Sequence, residues 1–288
     1  MGARVMFVTG AAGMVGSEVA RRAVEQGYDV RALVRPNSDR CLLEGLDLQL
    51  VEGDLARPET VAPAVADSDI VVHAAAHIGD WGPAEKYRAI NVVALEQLLS
   101  EVERQGRVER WIQISSLGVY PGRDHYGTDE SVPPDVQGLD GYTKTKAEAE
   151  LLLRRHIDEY NLKAVILRPG FIYGRGERHS LPRLIELFGS GKIKFIGDGQ
   201  KLLNNTYVGN LVDAVFLAID NDRALGETFN IRDERLVTRE EYLMAVAEYL
   251  GKPRPPRVPL WLARTAVPFI EGWARFTRRP TAPILTNA

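Results

Sequence analysis

Short apolar, β-branched runs alternate with longer stretches of helical periodicity through the first two thirds of the chain. The runs at residues 5–8, 30–34, 48–51, 70–73, 111–115 and 164–167 predict strands, and the stretches at 14–26, 58–65, 86–105, 142–160 and 210–219 predict helices. Several runs are apolar without interruption, as in strands covered by helices on both faces. Strand and helix in regular succession predict an α/β fold with a doubly wound, parallel sheet. The alternation loosens after Leu167: Arg168-Pro169-Gly170 interrupts it, one helical stretch follows at 182–188, and Gly and Pro become frequent. We therefore expect a core unit over residues 1–168, rejoined by about 206–231, and a smaller interleaved covering part over about 169–205 and 232–288.

Composition narrows the setting more than the chemistry. With 288 residues, 45% hydrophobic and 26% charged, the chain buries a sizeable core and has the make-up of a soluble protein. A net charge of −3 gives no reason to expect nucleic acid as a partner. The lone Cys41 excludes an intramolecular disulfide and suits a reducing cytoplasm, the expected location. The first strand begins too early to leave room for a signal peptide, and no apolar run reaches the ~18 residues of a membrane span. His73, His77, His125, His156 and His179 lack the spacing of a ligand set, so no metal is expected. Charge is uneven, however. Residues 252–280 carry seven basic side chains against Glu271 alone, +6, which leaves −9 for the rest. Leu260, Trp261, Leu262, Val267, Phe269, Ile270, Trp273 and Phe276 lie among those charges at roughly helical spacing, interrupted by Pro268. Such a segment either rests on an anionic membrane surface or packs over the protein itself.

Gly10-Ala11-Ala12-Gly13-Met14-Val15-Gly16 follows the first run directly and opens the first helix. Strand, glycine turn and helix N-terminus in this order offer free backbone N–H groups and a positive dipole end to a pyrophosphate. Gly10, Ala12, Gly13, Met14, Val15 and Gly16 are thus candidate contacts of NAD or NADP. The spacing differs from the commonest fingerprint, and the same glycines would also serve a plain strand-to-helix turn. The second strand ends at Val34-Arg35 with no carboxylate beside it. A carboxylate there binds the adenosine ribose and an Arg accommodates a 2′-phosphate, so NADP is favoured, with NAD the alternative. Asp54, in Gly53-Asp54-Leu55, is placed either to reach the adenine or to cap the helix starting near residue 58.

Tyr142 and Lys146 stand four residues apart at the start of a helical stretch, so both project from one face. A neighbouring ammonium lowers a phenol's pKa from ~10 toward the range useful for general acid/base work. The strand at 111–115 ends in Ser115-Ser116, at the edge where α/β sheets bind ligands; a serine there either holds a reacting oxygen or caps a turn.

Together these motifs resemble the extended branch of the short-chain dehydrogenase/reductase superfamily, the NAD-dependent epimerase/dehydratase family. The resemblance spans residues 9–16, Gly53-Asp54-Leu55, Val72-His73-Ala74-Ala75-Ala76, Asn91-Val92-Val93, Ser115 to Tyr120, Tyr142 to Lys146, Leu167 to Gly174 and Thr206-Tyr207-Val208. It implies that Ser116, Tyr142 and Lys146 are the catalytic set, with Asn91 steadying the site near the lysine. It also implies that Leu55, Ala74, Ala75, Ala76, Asn91, Ser115, Tyr142, Lys146, Pro169, Gly170 and Ile172 line the cofactor, Lys146 at the nicotinamide ribose hydroxyls, and that the chain pairs as a homodimer through the helices at 86–105 and 142–160. Dehydratases of the family place an acidic residue after the catalytic hydroxyl, whereas Leu117 follows Ser116. The loops His77-Ile78-Gly79-Asp80-Trp81-Gly82 and Ile196-Gly197-Asp198-Gly199-Gln200-Lys201 look like those of hydroxysteroid dehydrogenases and ketone reductases. The expected substrate is accordingly a small apolar secondary alcohol or ketone, the alternative a nucleotide sugar for epimerisation. A catalytically silent dinucleotide sensor is disfavoured because the catalytic set is intact.

Overall fold

The structure, a computed structural model, describes residues 2–79 and 82–277. In chain order the elements are β1 (Val5–Thr9), α1 (Met14–Glu25), β2 (Asp29–Val34), β3 (Gln49–Glu52), α2 (Ala62–Ala66), β4 (Ile70–His73), α3 (Ala84–Arg88), α4 (Ala94–Gln105), β5 (Arg110–Ile114) and α5 (Gly141–Tyr160). There follow β6 (Ala164–Pro169), β7 (Phe171–Tyr173), α6 (Ser180–Gly189), β8 (Phe195–Ile196), β9 (Asn205–Tyr207), α7 (Val208–Asp220), β10 (Thr228–Ile231), α8 (Arg239–Tyr249), β11 (Arg257–Val258) and α9 (Leu260–Phe276).

Seven parallel strands form one sheet in the order β3-β2-β1-β4-β5-β6-β10. Alternate side chains of β1 show why it is sealed on both faces: Met6 and Val8 pack with Val19 and Ala20 of α1 and with Leu211, Val215 and Phe216 of α7. Phe7 points the other way, into a cluster with Leu95, Leu98 and Leu99 of α4 and Leu152 and Leu153 of α5. The chain winds outward from β1 to β3 and then returns to place β4 on the other side of β1, so the strand order reverses between β1 and β4. A crevice opens beyond the carboxyl ends at such a switch point.

Local chemistry moves several element boundaries. The helix expected over 58–65 is a turn at Pro58–Thr60 followed by the short α2, because Pro63 has no N–H and is accommodated only in a first helical turn. The stretch expected to be helical over 86–105 starts at Ala84 and contains a π-helical segment, Ala89–Val93, between α3 and α4. The added residue in that turn carries the buried Asn91. Helix α6 begins at Ser180, where the Glu177 carboxylate accepts from the backbone N–H groups of His179, Ser180 and Leu181 at 2.7–2.8 Å.

Two pairs of short strands, β7 with β9 and β8 with β11, lie outside the main sheet. Helix α9 continues through Pro268 and turns Ala263 and Val267 inward, leaving Trp261, Phe269 and Trp273 at 68, 81 and 62% exposure. Asp80, Trp81 and the basic Arg278 and Arg279 lie outside the described residues. No helix among the described residues is long and apolar enough to cross a membrane.

Candidate active site

The turn after β1 is built around its glycines. Gly10 has φ +67°, and a Cβ there would stand 2.8 Å from the Ala75 nitrogen. A Cβ on Gly16 would stand 2.3 Å from the Gly10 carbonyl oxygen, so no other residue lets α1 start this close to the turn. The Gly13 N–H donates to that carbonyl at 2.9 Å, and Gly13 offers α1 no side-chain cap. An anionic group suits this uncapped N-terminus, and the cradle of Gly10, Ala12, Gly13, Met14, Val15 and Gly16 fits a pyrophosphate.

Across the switch point, half-buried Ala74, Ala75 and Ala76 follow β4. The Ala75 N–H donates to Thr9 Oγ1 at 3.1 Å, and the same hydroxyl lies 3.0 Å from His73 Nδ1, which ties β1 to β4. Burial, with the Lys146 charge adding, pushes the His73 pKa down to about 3, so its ring is neutral. Arg35 is exposed, and its guanidinium has no ion-pair partner among the described residues, whereas Arg40 pairs with Glu52 and Arg178 with Asp39. Asp54 Oδ1 accepts from Ala56 N–H at 3.0 Å, capping its own turn rather than α2. Leu55, expected to line the cofactor, is sunk in the core at 7% exposure, so only its backbone faces that role.

The second cluster lies at the carboxyl end of β5. Ser116 Oγ accepts from the Gly118 N–H at 3.0 Å, and its hydroxyl acts on the neighbouring Tyr142 phenol in favour of the phenolate. Asp140 caps α5 in a reciprocal box with Thr143 and thereby fixes Tyr142 in the first turn. The phenol's pKa is raised, first by burial, with the Ser116 hydroxyl opposing and the Asp140 charge adding to the rise. This corrects the expectation of a lowered value: the Lys146 ammonium donates to the Ile114 carbonyl at 2.5 Å, and desolvation dominates at the phenol. Lys146 itself is brought down to about 8 by burial, against the favourable Glu150 charge.

Asn91 links the two clusters. Its side chain accepts from His77 N–H at 2.7 Å and donates to the His77 carbonyl and to Thr145 Oγ1 at 3.1 and 3.0 Å. The loop after β4 is thus tied to α5 one residue before Lys146. Ser115 departs from expectation, since its hydroxyl is committed to Glu150 at 2.8 Å and only its backbone remains for a cofactor. Pro169 is buried at the end of β6, Gly170 donates to Thr206 Oγ1 at 3.0 Å, and Ile172 packs on the core. A Cβ at Gly170 would lie 1.8 Å from the Asn204 carbonyl oxygen, which explains the glycine without any ligand. Thr9, Tyr120 and Arg168 lie within the quoted motifs but, like Glu150, receive no role from the sequence. For Glu150 the signal existed, as it follows Lys146 at the same four-residue spacing by which Lys146 follows Tyr142.

Residues 6–231 match the model of the NAD dependent epimerase/dehydratase family. The chain is 30% identical to a 2-alkyl-3-oxoalkanoate reductase of Shewanella oneidensis, over 98% of this chain and 75% of that protein. It is equally 30% identical to a 3 beta-hydroxysteroid dehydrogenase/Delta 5-->4-isomerase of Mycobacterium tuberculosis, over 94% of this chain and 75% of the relative. Among solved structures, the UDP-glucose 4-epimerase of Thermus thermophilus in complex with NAD is similar at TM-score 0.74 and 26% identity, covering 88% of this chain and 86% of that one.

Proposed function

The chain belongs to the NAD-dependent epimerase/dehydratase family, in the extended branch of the short-chain dehydrogenases/reductases, and on that premise we propose that it interconverts an apolar secondary alcohol and its ketone using NADP. The observation that carries the reading is the placement of Ser116 at the carboxyl edge of the sheet, of Tyr142 in the first turn of α5, and of the buried Lys146 one helical turn on. Bound NADP supplies the hydride acceptor and NADPH the donor. Tyr142 takes the proton of the substrate hydroxyl in oxidation and returns it in reduction, while Ser116 hydrogen-bonds the same oxygen. Burial of the phenol opposes this use, and the Ser116 hydroxyl is what favours the phenolate. Asn91 keeps α5 in register, and Pro169, Gly170 and Ile172 border the reacting end.

An apolar substrate is favoured over a nucleotide sugar by the relatives that reduce 2-alkyl-3-oxoalkanoates or oxidise hydroxysteroids along most of this chain's length. The substrate-binding part is assigned to residues 169–205 and 232–288. A panel of alkyl ketones, hydroxysteroids and UDP-sugars, each with NADPH or NADP, tests the reading. Turnover of ketones or steroids supports it, and epimerisation of a UDP-sugar without net cofactor turnover replaces it with the epimerase reading. Arg35, exposed and without an ion-pair partner among the described residues, is assigned to the 2′-phosphate. Arg35→Glu is expected to move the cofactor preference toward NAD by at least about tenfold, and an unchanged NADP:NAD ratio removes Arg35 from that role.

Two further assignments concern partners. The outward Trp261, Phe269 and Trp273 of α9, in a basic segment, are assigned to an anionic membrane surface. Sedimentation with phosphatidylglycerol vesicles reads this directly, and recovery of all protein in the supernatant refutes it. Helix α5 leaves Leu151 and Tyr160 at 43 and 58% exposure, and a homodimer is assigned to this side, to be checked by sedimentation equilibrium.

A further inference from the structure

Three charged side chains are buried together behind the site: Lys146, Glu150 and Arg168, at 4, 2 and 2% exposure. The chemistry above uses Lys146 and gives the other two no task. A buried ion pair is costly to desolvate and is often replaceable by apolar residues without loss of stability, so stability is a weak reason for it. Its connections supply a better one. Arg168, in β6, donates from Nε to both Glu150 carboxylate oxygens at 3.1 and 3.0 Å, and one of its terminal nitrogens bonds Glu150 Oε1 as well. Its other terminal nitrogen donates to the Tyr120 hydroxyl at 2.7 Å, with the guanidinium carbon 4.8 Å from the centre of the Tyr120 ring. Glu150 in turn accepts from the Ser115 hydroxyl at 2.8 Å. Lys146, one turn earlier on α5, holds the Ile114 carbonyl at 2.5 Å. Successive turns of α5 therefore grip the successive residues Ile114 and Ser115. Arg168 grips Tyr120 at the far end of the stretch that carries Ser116.

We propose that Glu150 and Arg168 are positioning residues for the alcohol/ketone chemistry. By anchoring both ends of residues 115–120 to α5 and β6, they set the approach of the Ser116 hydroxyl to the Tyr142 phenol and keep Lys146 in register. The inference rests on the roles given to Ser116 and Tyr142 in the proposed function. Glu150 acts on Lys146 by charge too, opposing the burial that brings the ammonium down to about 8, and neutral His73 at the end of β4 feels the same ammonium.

Kinetics of the full chain with NADPH and the best ketone of the panel test the proposal. The double substitution Glu150→Gln with Arg168→Met removes both charges and leaves neither unpaired. It is expected to lower kcat about tenfold to a hundredfold, as a misplacement of about 1 Å does, with KM for the cofactor within about threefold. Tyr120→Phe removes one hydroxyl and is expected to lower kcat about threefold to tenfold. A readout independent of turnover is the titration of Lys146 by carbon-13 NMR of ε-labelled lysine, whose midpoint is expected to fall in the double variant once the Glu150 charge is gone. A kcat within about twofold of wild type in both variants, or an unmoved Lys146 midpoint, overturns the proposal. If the double variant does not fold, Tyr120→Phe decides alone. A wild-type protein that turns over nothing in the panel refutes the oxidoreductase reading instead, and the Lys146 midpoint then decides the positioning role.

Discussion

Met6, Phe7, Ile70, Trp111 and Ile112 are wholly buried within the seven-stranded sheet, whereas the described residues of the part that follows it hold a small cluster, Phe188, Val246 and Ala247, with Phe195, Ala263 and Val267 buried apart from it. The same part leaves Trp261 and Phe269 facing outward. A parallel sheet with helices on both faces satisfies its backbone hydrogen bonds and its apolar surface within itself. Short two-stranded pairs and single helices do not, and their order depends on what they rest against. The glycine turn after β1 therefore sits on the rigid region, and the substrate-binding part proposed for residues 169–205 and 232–288 falls in the looser one, where side chains change at little cost to the fold.

That contrast is open to attack at four points. The largest effect belongs to Tyr142→Phe, which is expected to reduce kcat at least about a thousandfold while cofactor affinity, read by fluorescence titration, stays within about threefold. Substantial residual turnover removes Tyr142 from the mechanism. Next come two glycines, one in each region. Gly16→Ala forces a Cβ to 2.3 Å from a backbone carbonyl and is expected to cost about 3 kcal/mol or more by denaturant unfolding. Gly191→Ala, at φ +66° in open space, is expected to cost about 1 kcal/mol, and equal costs at the two sites would erase the difference in rigidity.

The third point is acidity. His73 is held down to about 3 in the folded protein against 6.5 when unfolded, so the unfolded chain binds a proton first as pH falls. The stability is intact above pH 6.5 and declines as pH drops toward 3, by about 2 kcal/mol at pH 5 from this group alone. His73→Asn is expected to flatten that slope in melts taken from pH 7 to pH 5. The smallest effect is on the outer face of α9: Phe269→Ser is expected to change stability by under about 0.5 kcal/mol, and a larger loss would mean that this face is packed rather than free.

The glycine turn and the paired Tyr142 and Lys146 were legible from residue order, because each depends on neighbours a few positions apart. The side chains of Leu55 and Ser115 depart from expectation for a common reason. They adjoin the ends of β3 and β5, but whether such a side chain points into the crevice or the core is set by how the next segment packs, which has no local signature. Asn91 reaches both His77 and Thr145 only through its π-helical turn, a one-residue slip in a stretch that reads as continuous helix.

The order of elements, the parallel sheet and the glycine turn between β1 and α1 were determined by the amino-acid sequence itself, since hydrophobic period, glycine spacing and helix start signals act over a few residues. The direction of the Tyr142 pKa, the carbonyl that holds Lys146 and the buried Glu150–Arg168 pair were decided only by the tertiary structure. Desolvation and ion pairing depend on which distant segments close over a side chain, and here those segments are β5, α5 and β6, brought together from residues 110 to 169.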